Sequence, residues 1–337
     1  FCPLNINMEN KLKLNDFLFL PDVSGKSGAG HFFRCLSLAK ILRKDFSCHF
    51  SFFSNESFFL DILLDLKIGF LPNEKVKDHL FKITIFDTYK LSTVQINQIN
   101  SSKFVMINDY KKDLLDIDLS IYPSFEDNYR SDKVLSGLKY SIVQNHFRNA
   151  RNKYRIKKKV RYILLNFGVA DKRRISIKIL KMLRKISNNL DRFKVGIIFG
   201  SLFTGRNKLV QEIVRCSFEV ELFDSPNNVD EILLKSDLVI GAGGVGLLER
   251  ACIGVPSITI YVSENQKGQT LLFSKNKATI SFNYSDLISK KFSKIIESIF
   301  YDYKSRKEIS KNSRRLVDGR GSERVCYELR KKIYYEK

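Results

Sequence analysis

The sequence predicts an α/β protein in which two parallel sheets, each covered by helices, face a central cleft. Three observations carry this. Short runs rich in β-branched and aromatic residues alternate with stretches of helical periodicity from residue 16 to about 300. That alternation is the grammar of βα units, which build parallel sheets with helices on both faces. It is interrupted once, by the charged segment 145–161, "NHFRNARNKYRIKKKVR", and then starts again. The two halves have similar grammar, and 337 residues suit two domains better than one.

The first half opens with the strand "DFLFLP" (16–21). Residues 31–43 follow as a helix with Phe32, Cys35, Leu36, Ala39 and Leu42 on one face. "CHFSFF" (48–53) is a strand and 56–66 a helix. "KITIFD" (82–87) is a strand, 91–100 a polar helix, and "KFVMIND" (103–109) and "DLSIY" (118–122) are further strands. The basic stretch 148–160 has no apolar stripe and reads as a linker. In the second half, "YILLNFG" (162–168), "KVGIIFG" (194–200), "FEVELF" (218–223), "DLVIGAG" (237–243) and "PSITIYV" (256–262) are strands. Helices are expected at 175–187, 245–252 and 266–275, and basic helices toward the end. The expected division is an extension at 1–15, a Rossmann-like domain at 16–147, the linker at 148–160, a second Rossmann-like domain at 161–300, and basic C-terminal helices at 301–337.

Composition narrows the function classes. A hydrophobic content of 44% supports real cores. With 58 Lys+Arg against 36 Asp+Glu, the formal net charge is +22. Such a surplus suits nucleic acid, an anionic membrane or phosphorylated substrates, but it is also what an AT-rich genome encodes through Lys, Ile and Asn. The basic residues are scattered and no aromatic–basic interleaving of an RNA module is visible, so nucleic acid is not the expected partner. The six cysteines form no CxxC pair and have no histidine cluster beside them, which argues against zinc or a disulfide framework and suits a reducing cytoplasm. No apolar run approaches the roughly 20 residues of a membrane span. The opening lacks the pattern of a signal peptide, and Met8 is the expected natural start. A cytoplasmic monomer without metal or cofactor is expected.

In open α/β sheets ligands sit beyond the carboxyl ends of the strands, so the chemistry is expected in the loops there. The loop 22–31, "DVSGKSGAGH", fits neither a Walker A loop nor a dinucleotide fingerprint from Gly28. It remains a glycine turn, with Asp22, Ser24 and Gly30, that delivers His31 to a helix N-terminus. There backbone N–H groups attract anions and the helix dipole disfavours imidazolium. A neutral His31 is a candidate general base, against the alternative of a simple helix cap. "GAGGVG" (241–246) reads as G-x-G-x-x-G between a strand and a helix, with Glu264 near the place of a ribose-binding acid. That is the dehydrogenase reading. The same geometry also suits the donor loop of a sugar transferase, with Glu249 reaching a ribose diol. Asn265 and Gln266 are amides suited to sugar hydroxyl or acetamido groups. Gly168 ends a strand and Asp171 is a helix cap. Asp87 with Tyr89, and Asn108 with Asp109, place polar groups on neighbouring strand ends. There is no Ser-His-Asp spacing, no HExxH and no acidic metal cluster.

Taken together, "SGAGHFFRCLSLAKIL", "FDTY", "IND", "LLNFGVAD", "GAGGVGLLERACIGVPSI" and "ENQ" stand in an order that resembles the UDP-2,4-diacetamido-2,4,6-trideoxy-β-L-altropyranose hydrolases of pseudaminic acid biosynthesis and related spore-coat polysaccharide proteins. These are similar to GT-B glycosyltransferases, so the resemblance implies a GT-B-like fold. It also implies metal-independent hydrolysis of a UDP-sugar, in which His31 activates the water that attacks the anomeric carbon. By this resemblance Asp22, Ser24, Gly30, Tyr89, Asp109, Asn265 and Gln266 would serve the sugar side. Gly168, Gly243, Gly244, Val245 and Glu249 would hold UDP. Val169 and Gln144 depart from the family pattern, where glycine and arginine are common, and leave the sugar open. The alternative is a GT-B glycosyltransferase with a UDP-sugar donor.

Overall fold

The computed structural model describes residues 13–24, 29–52, 57–88, 96–109, 117–123 and 131–334. Within these, thirteen strands fall into two all-parallel sheets. The first has seven: β1 (Lys13–Pro21), β2 (Cys48–Phe50), β3 (Gly69–Phe70), β4 (His79–Asp87), β5 (Asn100–Ile107), β6 (Leu119–Tyr122) and β7 (Val134–Ser136), in the order β3-β2-β1-β4-β5-β6-β7. The second has six: β8 (Tyr162–Asn166), β9 (Lys194–Phe199), β10 (Glu219–Asp224), β11 (Leu238–Ala242), β12 (Ser257–Tyr261) and β13 (Ile280–Asn283), in the order β10-β9-β8-β11-β12-β13. Counted from its own first strand, each sheet runs 3-2-1-4-5-6, the doubly wound order, with β7 added at the edge of the first. The order reverses between β1 and β4 in one sheet and between β8 and β11 in the other. Loops leaving those four strands therefore border the ligand crevices.

The strand residues explain why both faces are covered. Phe17, Leu18, Phe19 and Leu20 are consecutive and at most 1% exposed, so β1 buries side chains on both sides. An apolar run without alternation does this only inside a helix-covered parallel sheet. Helix α1 (Gly30–Leu42) is buried nearly all round, including Leu38, which lies off the face expected from periodicity. The reason is a second covering layer. After α2 (Ser57–Asp65), α3 (Asn73–Val76), α4 (Asn145–Lys153), α5 (Ile175–Ile186), α6 (Arg206–Ile213), α7 (Val229–Lys235), α8 (Val245–Ile253), α9 (Glu264–Lys275), α10 (Lys290–Tyr301) and α11 (Tyr303–Leu316), the chain returns to the first sheet as α12 (Gly321–Tyr334). Val325, Cys326 and Leu329 of α12 join the core of the first sheet, and the Cys326 thiol lies 3.7 Å from Leu38 O. Leu329→Ala should cost about 2–5 kcal/mol, as large-to-small core changes do. Chemical denaturation reads this, and an unchanged midpoint would detach α12 from that core.

Two expectations met a different outcome. Residue 100 lies in β5 rather than in a polar helix, whose first part falls outside the described residues. Half of the basic stretch is helix α4, because Phe147 and Ala150, three apart, bury against α8 while Arg148, between them, pairs with Glu323. Arg151 donates to Cys252 O and Val317 O, and Arg314 donates to Ile253 O, so cations close the C-terminal end of α8.

Candidate active site

On the first sheet, β1 and β4 stop side by side, with Pro21 opposite Asp87. The Asp22 N–H donates to Asp87 O (2.8 Å), and the Asp22 carboxylate accepts from the Ser24 N–H (2.9 Å), turning the chain away. The chain re-enters the described residues at Ala29 and starts α1 with no side-chain cap. His31 is thus not a cap. Its neighbour Phe32 sits among Phe50 and Phe59, ring centres 5.7 and 4.6 Å away, which sets the rotation of α1.

His31 and Arg34, three residues apart, share one side of α1 and both reach Asp87. His31 Nδ1 lies 2.5 Å from Asp87 Oδ1. Arg34 grips the same carboxylate with two nitrogens, Nη2 to Oδ1 at 2.6 Å and Nε to Oδ2 at 2.9 Å, and reaches Asp109 Oδ1 with Nη1 at 2.6 Å. All three partners of this core are secluded: Asp87 is 0% exposed, His31 and Arg34 3%. Burial opposes the charge on Arg34, but Asp109 and Asp87 outweigh it and hold the guanidinium firmly protonated. A carboxylate on Nδ1 requires the proton there, so in the neutral ring Nε2 carries the lone pair. The proximity of Arg34 Nη2 to Nδ1 (3.0 Å) is then a contact between two donors.

On the second sheet, β11 runs into Gly243 and Gly244, and α8 begins at Val245. Gly244 has φ 84°, a left-handed conformation that an L side chain rarely takes. Its N–H donates to Gln269 Oε1 (2.9 Å). A methyl on Gly243 would lie 2.7 Å from Thr270 Oγ1 and 2.9 Å from Gln266 Cβ. A methyl on Gly241 would lie 2.6 Å from Asn166 O and 3.3 Å from Arg250 Nη1, and Gly246 also faces Arg250 Nη1. The glycine pattern is therefore explained at Gly243 by the close approach of α9, at Gly241 by the Asn166 carbonyl and at Gly244 by its backbone conformation, with the Arg250 guanidinium lying behind the loop. The ribose acid of the dehydrogenase reading fares poorly too, since Glu264 is exposed and paired with Lys267 at 3.1 Å.

Glu249 is half-buried, without a hydrogen-bond or ion-pair partner among the described residues. Its carboxyl is packed round by protein, and this desolvation pushes it up to about 8, against a smaller opposing pull from Arg250. Gln266 accepts from the Val262 N–H (3.1 Å), and Asn265 accepts from the Ser263 hydroxyl (2.5 Å). Gly168, at φ 82°, faces open space. Val169 fills the room that Gly200 leaves, a methyl there lying 2.7 Å from Val169 Cβ. Asp171 accepts from the N–H groups of Ile175 and Ser176, as a helix cap does.

The two sets meet at one point: a methyl on Gly30 would touch Val245 Cγ2 at 3.1 Å. The start of α1, bearing His31, thus abuts the start of α8, whose Glu249 lies about one turn further on. Tyr89 lies outside the described residues. The structure adds Arg34, Gln269 and Arg250 to the residues expected, and gives Asp87 a role. Among the described residues no cluster of His, Cys, Asp or Glu could hold a metal ion, and no helix is long and apolar enough to cross a membrane.

Two Rossmann-like parallel sheets of this order, with their crevice loops opposed, define a GT-B fold. The fold is similar to that of MurG from Acinetobacter baumannii, with a TM-score of 0.65 at 11% identity over 94% of this chain and 99% of that one. It is also similar to a UDP-N-acetylglucosamine 2-epimerase, with a TM-score of 0.62 at 14% identity over 97% and 98%. No family model matches the chain. In sequence it is 26% identical over 198 residues to the spore coat polysaccharide biosynthesis protein SpsG of Bacillus subtilis (strain 168), 57% of either chain. The chain thus spans little more than half the length of that relative.

Proposed function

We propose that this protein is a nucleotide-sugar enzyme that hydrolyses the glycosyl bond of a UDP-linked deoxy amino sugar, in the assembly of a surface polysaccharide or a pseudaminic-acid-like sugar. The observation that carries the proposal is the contact of Gly30 with Val245, which brings a carboxylate-held imidazole against the start of the glycine-loop helix. In this reading the diphosphate docks at the start of α8, where free N–H groups and the helix dipole favour an anion. Glu249 takes the ribose diol, and Asn265 and Gln266 face the cleft. His31 Nε2 accepts a proton from water, the oxygen attacks the anomeric carbon, and UDP leaves with the bonding pair. Asp87 keeps the ring in the required tautomer, and Arg34 keeps Asp87 in place. Because His31 is 3% exposed, substrate must displace the groups that cover it. The test is to incubate the protein with a panel of UDP-sugars, without acceptor or metal, and measure released UDP. Steady release supports hydrolysis; none from any sugar removes it.

One observation favours a second reading, a glycosyltransferase with a UDP-sugar donor. A base so shielded from bulk water suits transfer to an acceptor, which requires water to be kept out. UDP release that appears only when an acceptor is added would decide for transfer.

The nucleotide assignment carries its own pH signature. Below about 8 the Glu249 carboxyl of the free protein is protonated. A ribose diol donating two hydrogen bonds favours the ionised form. Binding should then release a proton near pH 7, and UDP affinity should rise with pH until it levels near 8. Calorimetry in buffers of different ionisation enthalpy measures that proton. A binding enthalpy independent of the buffer would take Glu249 out of the ribose site.

A further inference from the structure

The glycine loop of the second sheet has a buried charge behind it that forms no ion pair among the described residues. Arg250 is 1% exposed. From the middle of α8 its side chain folds back toward the helix start, as helical side chains do. Its Nη2 donates to Ala242 O (2.7 Å) and to Thr259 Oγ1 (2.9 Å), while Nε is buried with no partner. Thr259 Oγ1 lies 2.7 Å from Thr279 Oγ1, and Thr279 donates to Ser257 O (2.8 Å). The hydroxyl dipoles are therefore lined up with an oxygen toward the guanidinium. They orient it without neutralising it.

Among the described residues the other two buried arginines are treated differently. Arg34 is held by two carboxylates. Arg306 closes a helix end, donating to Ile299 O, Phe300 O and Lys158 O. Arg250 has one carbonyl and one hydroxyl, and forms no ion pair among the described residues. Desolvation brings it down to about 9, only partly resisted by Glu249. Buried charges are ordinarily paired, and an unpaired one is costly to keep. Its Nη1 nevertheless lies directly behind the loop, 3.3 Å from where a methyl on Gly241 would sit and 3.6 Å from one on Gly246.

We infer that Arg250 is the counter-charge of the bound diphosphate, a positioning residue that acts from beneath the glycine loop through Ala242 and the start of α8. This rests on the nucleotide reading above. The ligand class is specified by it: the site favours a nucleoside carrying two phosphates over the nucleoside alone, because the buried cation and the N–H groups of α8 aim at the same place. The loop backbone stands between them, so no side-chain hydrogen bond to phosphate is required.

The test compares UDP and uridine binding, by calorimetry or ligand-detected NMR, in the wild type, Arg250→Met and Arg250→Lys, each checked for folding by circular dichroism and melting. Arg250→Met should weaken UDP by about 10–100-fold and leave uridine unchanged. Arg250→Lys, which keeps the charge but not the fork, should keep most of the UDP-to-uridine ratio. Equal losses for UDP and uridine in either variant would mean a packing role and overturn the inference, as would unchanged UDP binding in Arg250→Met. Should Arg250→Met fail to fold, the ratio in Arg250→Lys decides: a ratio collapsed toward one overturns the counter-charge. A wild type that binds no UDP overturns the nucleotide reading itself, and the counter-charge with it; UDP binding equal in wild type and Arg250→Met overturns the counter-charge alone.

Discussion

His31→Asn is expected to lower turnover about 10²–10⁴-fold, the usual contribution of a general base, while UDP affinity stays within a few-fold. The asparagine amide can still donate to Asp87, so the buried carboxylate keeps a partner and the fold should hold. The proposed nucleotide end lies on the other sheet, around Gly244 and Glu249, and the substitution does not touch it. UDP release under saturating sugar measures the first quantity and calorimetry the second. Near-normal turnover in this variant would remove the imidazole from the chemistry, whichever of hydrolysis or transfer is at work.

Asp87→Asn should act twice. It takes from Arg34 the carboxylate that it holds with two nitrogens, in a site where both groups are almost fully buried. Breaking a buried pair from one side typically costs about 3–5 kcal/mol. It also presents an amide to Nδ1 of His31. An amide that donates there would force the proton onto Nε2 and leave no lone pair for water, so turnover should fall about as far as in His31→Asn. Denaturation and turnover, measured at a temperature where the variant remains folded, separate the two effects. Asp109→Asn is the control: its side chain is 14% exposed and meets a single guanidinium nitrogen, so its cost should be smaller. A stable and fully active Asp87→Asn would leave the buried network without a function.

Much of this was legible in the sequence because it is local. The apolar runs 16–21, 82–87 and 162–166 all lie within strands, and the doubly wound grammar follows from their alternation with helices. β3 and β7 were missed since two or three residues carry no periodicity. His31 was visible as a polar residue at a glycine-to-helix junction. Its partner was visible only as a strand-end carboxylate, because the two are 56 positions apart and only the pairing of β1 with β4 brings them together. Arg34 gave a signal, three residues after the histidine, but nothing local said that two aspartates would meet it. The glycine pattern was seen for what it resembles and not for its cause. That cause lies in β8 and α9, where the Asn166 carbonyl and the side chains of Gln266 and Thr270 fill the space a Cβ would need.

The last described helix completes the wall of the first sheet, and this has a consequence for synthesis. A ribosome emits the strands of the early half long before α12, so the flank of α1 that carries Leu38 stays uncovered while the whole later half is being made. At about 5–20 residues per second the wait is on the order of ten seconds or more. Nascent chains halted short of α12 should therefore expose an apolar surface to chaperones, and the early half should reach its final stability only once α12 has emerged and docked.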